Sequence, residues 1–294
     1  MRFGDEREST NFTDDTGRSF GGGGLGGGGL GCLLPLVASR FGIGGVVVLV
    51  IGYFILSSLG GLNSGGTGSV GPGQQVSAGK SSLDPQTKRF TLQVEASTED
   101  TWTKLLQAKG ISYTPTNLHF YSESDQSGCG AAQSAMGPFY CPTDKNIYLD
   151  TEFFTELSQR FQAPGDFAMA YVVAHEVGHH VQDLMGTLGK AEQLQARAGQ
   201  TEGNAIQVKI ELQADCYAGV WAANAKNPEG QSVMEPGDFE EGMRAAEAIG
   251  DDTLQKQAQG TVVPDSFTHG TSVQRMNALR TGFQSGNADA CQSL

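Results

Sequence analysis

The chain has 294 residues, with 19 Lys plus Arg against 32 Asp plus Glu, a formal charge of −13. That length leaves room for one domain of ordinary size with additional segments. The acidity excludes a nucleic-acid partner, whose phosphate backbone demands clustered Lys and Arg.

Residues 1–40 are polar and then glycine-rich, with Gly21–Gly24 and Gly26–Gly29 flanking Leu25. Such a tract buries too little apolar surface to offset its ordering entropy, so 1–40 is expected to be disordered. Phe41 to Leu59 carries no charge and is about long enough to cross a bilayer, so 41–60 is expected to be one transmembrane helix. Arg40 abuts its start and no Lys or Arg follows until Lys80. By the positive-inside rule the N-terminus is then cytoplasmic and the remainder extracytoplasmic, in a single-pass protein of the cell membrane. The leader is too long for the charged region of a cleaved signal peptide, which favours an uncleaved anchor. Residues 61–82 are Gly/Ser-rich and read as a flexible linker.

The globular domain is expected over 83–294. Ser97-Thr98-Glu99-Asp100 reads as the cap of a helix through Trp102, Leu105 and Leu106 to Gly110. Short runs of Tyr, Phe, Ile, Gly and Pro between 111 and 150 predict strands and loops, Asn146–Asp150 most clearly. Helical patterns follow at 151–161, 166–185, 202–224, 238–249 and 272–283. The domain is therefore expected to be α+β and mainly α, with a small sheet. Beyond the apolar stretch lie Cys129, Cys141, Cys216 and Cys291. Four cysteines allow three disulfide connectivities, or four free thiols. Cys129–Cys141 and Cys216–Cys291 are favoured, the first closing a short loop and the second stapling a helix to the tail.

The chemistry concentrates in His175-Glu176-Val177-Gly178-His179-His180. On a helix His175 and His179 project from one face, where two imidazoles can hold one zinc ion, and Glu176 can accept a proton from the attacking water. The three-histidine continuation is absent, so a third ligand must come from elsewhere. Glu211 and Asp215 share a helix face four residues apart, in an apolar stretch with Ala214, Cys216, Ala218, Val220 and Trp221. Glu211 is the candidate ligand, and Asp215 the candidate acceptor that fixes a ligand imidazole. His180 points away from His179 and reads as structural. Gly178 lets a neighbouring element approach closely. His119 has no motif around it and reads as surface or core.

Together with Phe267-Thr268-His269-Gly270-Thr271-Ser272-Val273-Gln274-Arg275, these motifs resemble the bacterial neutral zinc metallopeptidase family, over most of 83–294. A wider similarity links them to membrane zinc peptidases of the heat-shock and prenyl-protein-processing type, although Gly270 stands where those have proline. The resemblance implies a zincin-like domain behind one membrane segment, with one Zn2+ per chain. It further implies a peptide or protein substrate adding as a strand near 137–150. His269 is then either an oxyanion donor or a cap of the last helix. Arg275 is either a partner of the Asp215 region or a surface charge. Tyr140 and Tyr148 either donate to an oxyanion or simply pack. The expected activity is endopeptidase; the alternative is a catalytically weak zinc-binding scaffold of the cell envelope.

Overall fold

The computed structural model describes residues 1–17 and 83–291. A 23-residue helix, α1 (Pro85–Gln107), starts where Asp84 accepts from the Thr87 amide and Pro85 occupies the first turn. The start expected at Ser97 is corrected: Ser97 and Thr98 are buried inside this helix. Thr98 donates back to the Glu95 carbonyl, and Ser97 Oγ accepts from Trp221 Nε1 at 3.1 Å. Both hydroxyls are satisfied without ending the helix.

Five strands fall where the patterning between 111 and 150 placed them, β2 (Asn117–Tyr121), β3 (Ser124–Ser127), β4 (Gly130–Gln133), β5 (Phe139–Cys141) and β6 (Asn146–Asp150), and a sixth, β1 (Phe12–Asp14), lies in the leader. The main sheet runs β1-β2-β6-β5, with β1, β2 and β6 parallel and β5 antiparallel at the edge. Strand residues alternate between faces. Leu118, Phe120, Ile147 and Leu149 therefore enter the main core, while Tyr121 and Tyr148 form a small cluster with Ala132 and Cys141 near the β3–β4 hairpin.

The helices are α2 (Phe153–Gln159), α3 (Asp166–Leu184), α4 (Thr187–Gln195), α5 (Gln200–Asn224), α6 (Asp238–Ala248), α7 (Asp251–Gln259) and α8 (Ser272–Ser285). Five match the expected spans closely; α4 and α7, both short and strongly polar, were not expected. A Cβ on Gly282 would lie 1.9 Å from the Cys216 carbonyl oxygen, so α5 and α8 touch backbone to backbone. The architecture is the expected mainly helical α+β fold with a small sheet. Both favoured disulfides, Cys129–Cys141 and Cys216–Cys291, are present.

The described part of the leader departs from expectation. Residues 1–17 are folded: Phe12, Thr13 and Asp14 pair with Leu118, His119 and Phe120, and Phe3 is buried in the core. Ser9 and Asn11 share Glu99. Parallel pairing with a strand more than 100 residues away leaves no local signal in the sequence. The expected transmembrane helix at 41–60 and the linker at 61–82 lie outside the described residues. Among the described residues no helix is long and apolar enough to cross a membrane.

Candidate metal centre

Two helices build the centre. A Cβ on Gly178 would meet the Ala214 carbonyl at 3.0 Å, so glycine there lets α3 and α5 pack tightly beside His175, His179 and Glu211. Glu211 Oε2 lies 3.2 Å from His175 Nε2 and 3.4 Å from His179 Nε2. Tetrahedral zinc ligands at ordinary bond lengths stand about 3.3 Å apart, so two nitrogens and one carboxylate oxygen fit a zinc ion in donor type and spacing. All three side chains are largely buried.

Each donor is held by a neighbour one helical turn or one helix away. His175 Nδ1 lies 2.8 Å from Asp215 Oδ1, which fixes the proton on Nδ1 and directs Nε2 toward Glu211. Asp215 is fully buried and also accepts from Tyr171 at 2.6 Å and from Arg275 Nε and Nη2, both at 2.9 Å. His179 Nδ1 faces Gln182 Oε1 at 2.9 Å, and Gln182 Nε2 donates to the Ile210 carbonyl and to Gln213. Gln207 Nε2 donates to Glu211 Oε1 at 2.8 Å, leaving Oε2 toward the imidazoles.

The electrostatics agree with this wiring. Burial opposes the charged form of His175, but Asp215 and Glu211 outweigh it and lift its pKa to about 10. His179 is raised, burial again being overcome by Glu211. Burial likewise opposes ionised Asp215, yet Arg275 and His175 hold its pKa down at about 2. A field that favours a proton on these rings favours any cation between the donors.

Glu176 sits beside His175 on α3 and is buried. His269 is about one-third exposed, with Nδ1 3.4 Å from Asp251. Its pKa is raised, Glu211 and Asp251 outweighing burial, so it lies within the field of the ligand carboxylate. Asp251 Oδ2 pins this segment by accepting from the amides of Thr268, His269 and Gly270. The cap of α8 is Thr271, in a reciprocal capping box with Gln274, so His269 is not that cap. His180 is structural as expected. It is fully buried, with Nε2 donating to the Thr114 carbonyl at 2.6 Å and Nδ1 3.0 Å from the Tyr140 hydroxyl. Tyr140 donates to Asp183 and Tyr148 to Asp144.

Sequence reasoning missed Tyr171, Gln182, Gln207 and Asp251. The first three stand four before His175, three after His179 and four before Glu211, spacings that place them on the ligands' own helix faces.

The whole chain, residues 1–294, matches the family described as "Putative neutral zinc metallopeptidase". The chain belongs to this family. Within it, similarity runs at 45% identity over 298 residues to the uncharacterized protein YpfJ of Escherichia coli K12, covering 100% of this chain and 99% of that one. The uncharacterized protein Mb2605 of Mycobacterium bovis is 42% identical over 207 residues, 67% of each chain. No solved structure matches.

Proposed function

We propose that the protein is a zinc-dependent endopeptidase using His175, His179 and Glu211 as ligands and Glu176 as general base. The carrying observation is the convergence of three buried donors, the two imidazole nitrogens lying 3.2 and 3.4 Å from Glu211 Oε2, with Glu176 next to the first. When bound, zinc would supply Lewis acidity to a carbonyl and acidify a water. Glu176 accepts the proton of the attacking water and passes it to the leaving amine. His269, biased toward imidazolium, donates to the developing oxyanion. β5 ends the sheet and can take an extended substrate as an added strand.

Two disulfides support an oxidising compartment. The pairing of β1 with β2 supports a leader strand in the same compartment as the domain. A single crossing at 41–60 would put 1–40 and 61–294 on opposite sides and conflicts with this pairing, so membrane attachment is proposed only as insertion of this apolar segment without crossing, on hydropathy alone.

The test is the full-length Glu176→Gln variant against wild type, by zinc content and casein cleavage. Retained zinc with cleavage reduced at least 10²-fold is expected. Cleavage equal to wild type removes Glu176 as base. Stoichiometric zinc without cleavage in either form favours the scaffold reading.

A further inference from the structure

The histidine without a motif, His119, stands at a second convergence of donors. It projects from β2 onto the sheet face opposite the main core, where its ring stacks on Tyr148 at 4.9 Å. His119 Nε2 lies 2.6 Å from Asp125 Oδ2, on β3, and 3.3 Å from Asp15 Oδ2, just past β1. Two carboxylates and one imidazole from three separate segments thus converge.

The contacts have ion-pair distances but lack hydrogen-bond alignment. Despite their proximity, His119 Nε2 and Asp125 Oδ2 are both buried and neither makes a hydrogen bond among the described residues. Asp125 is more than nine-tenths buried, and among the described residues no Lys or Arg pairs with it. Its other oxygen is engaged by the Gln126 amide at 2.7 Å, so Oδ2 is the atom left to face His119. A buried acceptor left unsatisfied is costly and calls for an explanation such as an ion. The atoms approach closely without aligning donor to acceptor, as ligands directed at a common point do.

We propose that Asp15, His119 and Asp125 bind a second divalent transition-metal ion. The mixed donors select among cations: carboxylates suit Mn2+ and Zn2+ alike, and the imidazole disfavours Ca2+ and Mg2+. Ligands at about 2.1 Å from an ion stand roughly 3 Å or more apart. The 3.3 Å separation already fits, and the 2.6 Å pair would widen on binding. The ion would join β1, β2 and the β3–β4 hairpin.

The test counts metal in the full-length protein, stripped and then reloaded with Zn2+ or Mn2+ alone. Wild type is expected to hold about two equivalents, and His175→Ala, Asp125→Asn and Asp15→Asn about one each. A second measurement needs no variant at the new site. Mn2+ is titrated into His175→Ala/His179→Ala protein, followed by the Mn2+ electron paramagnetic resonance signal and by melting temperature. Saturable loss of the free-ion signal at one equivalent, with a rise in melting temperature, is expected. One equivalent in wild type that survives in Asp125→Asn, or no saturable binding of either ion in the double variant, overturns the proposal. The count is independent of the peptidase reading: an active enzyme with one metal defeats only this site, and an inactive one with metal here defeats only the other.

Discussion

Arg275 grips Asp215 with two parallel hydrogen bonds of 2.9 Å, and both side chains are buried. An always-charged planar fork is thereby spent on a carboxylate that itself orients His175, the proposed metal ligand. The arrangement links α8 to the donor on α3 through Asp215, which lies 60 residues before Arg275. It converts an undecided arginine of the sequence into a support of the centre.

Removing the arginine strands a buried carboxylate. Arg275→Ala is expected to cost about 3–5 kcal/mol of stability. Arg275→Lys, which cannot reproduce the fork, should recover only part of it. Asp215→Asn should weaken zinc binding roughly 10–100-fold. Chelator competition and thermal melts measure both, and unchanged zinc affinity in Asp215→Asn would remove it from the support of His175.

Gln182 does for His179 what Asp215 does for His175, through a neutral acceptor. Gln182→Met, similar in volume, removes the acceptor at 2.9 Å from Nδ1 and frees the ring to rotate or change tautomer. Zinc affinity should fall about tenfold or more, with cleavage at saturating zinc reduced less. An affinity equal to wild type would show that packing alone orients the ring.

The Cys216–Cys291 bridge closes 75 residues and contributes up to about 4 kcal/mol by chain entropy. It also reaches the centre: the Cys291 carbonyl accepts from Gln213, which accepts from Gln182. Cys291→Ser is therefore expected to lower both melting temperature and zinc affinity. A stability loss with intact affinity would confine the bridge to a structural role.

Glu95 is fully buried in α1, and neither carboxylate oxygen makes a hydrogen bond among the described residues. Burial first, and then Glu99, raise its pKa well above the ordinary carboxyl value, against a small opposing pull from Arg7. Below the ordinary value both folded and unfolded chains hold the proton. Above it the unfolded chain releases a proton that the folded chain keeps, so stability falls as pH rises, by up to about 1.4 kcal/mol per pH unit. Glu95→Gln should remove that slope and melt higher than wild type at pH 7. A variant less stable than wild type at pH 7 would contradict the buried-acid reading.

The candidate centre was readable because its residues obey helical spacing: His175 with His179 and Glu211 with Asp215 are each four apart, on two helices that formed where the patterning placed them. The oriented shell around them follows the same spacing but uses glutamine and tyrosine, which also occur on any half-buried helix. Ser97-Thr98-Glu99-Asp100 misled because cap-forming residues can instead satisfy their hydroxyls within a buried helix. β1 was invisible for another reason. Three residues pair in parallel with a strand far along the chain, and no short window records such a partner.

That same short strand redefines what the folded unit is. β1 completes the sheet from before residue 18, so the described fold draws on chain from both sides of the glycine-rich and apolar tract. Trimming the chain to begin at 83 would bare the backbone of β2 as an open edge and unseat Phe3 from the core. Nicking it within the glycine-rich and apolar tract would instead leave two pieces that still hold together, as the halves of a split protein do.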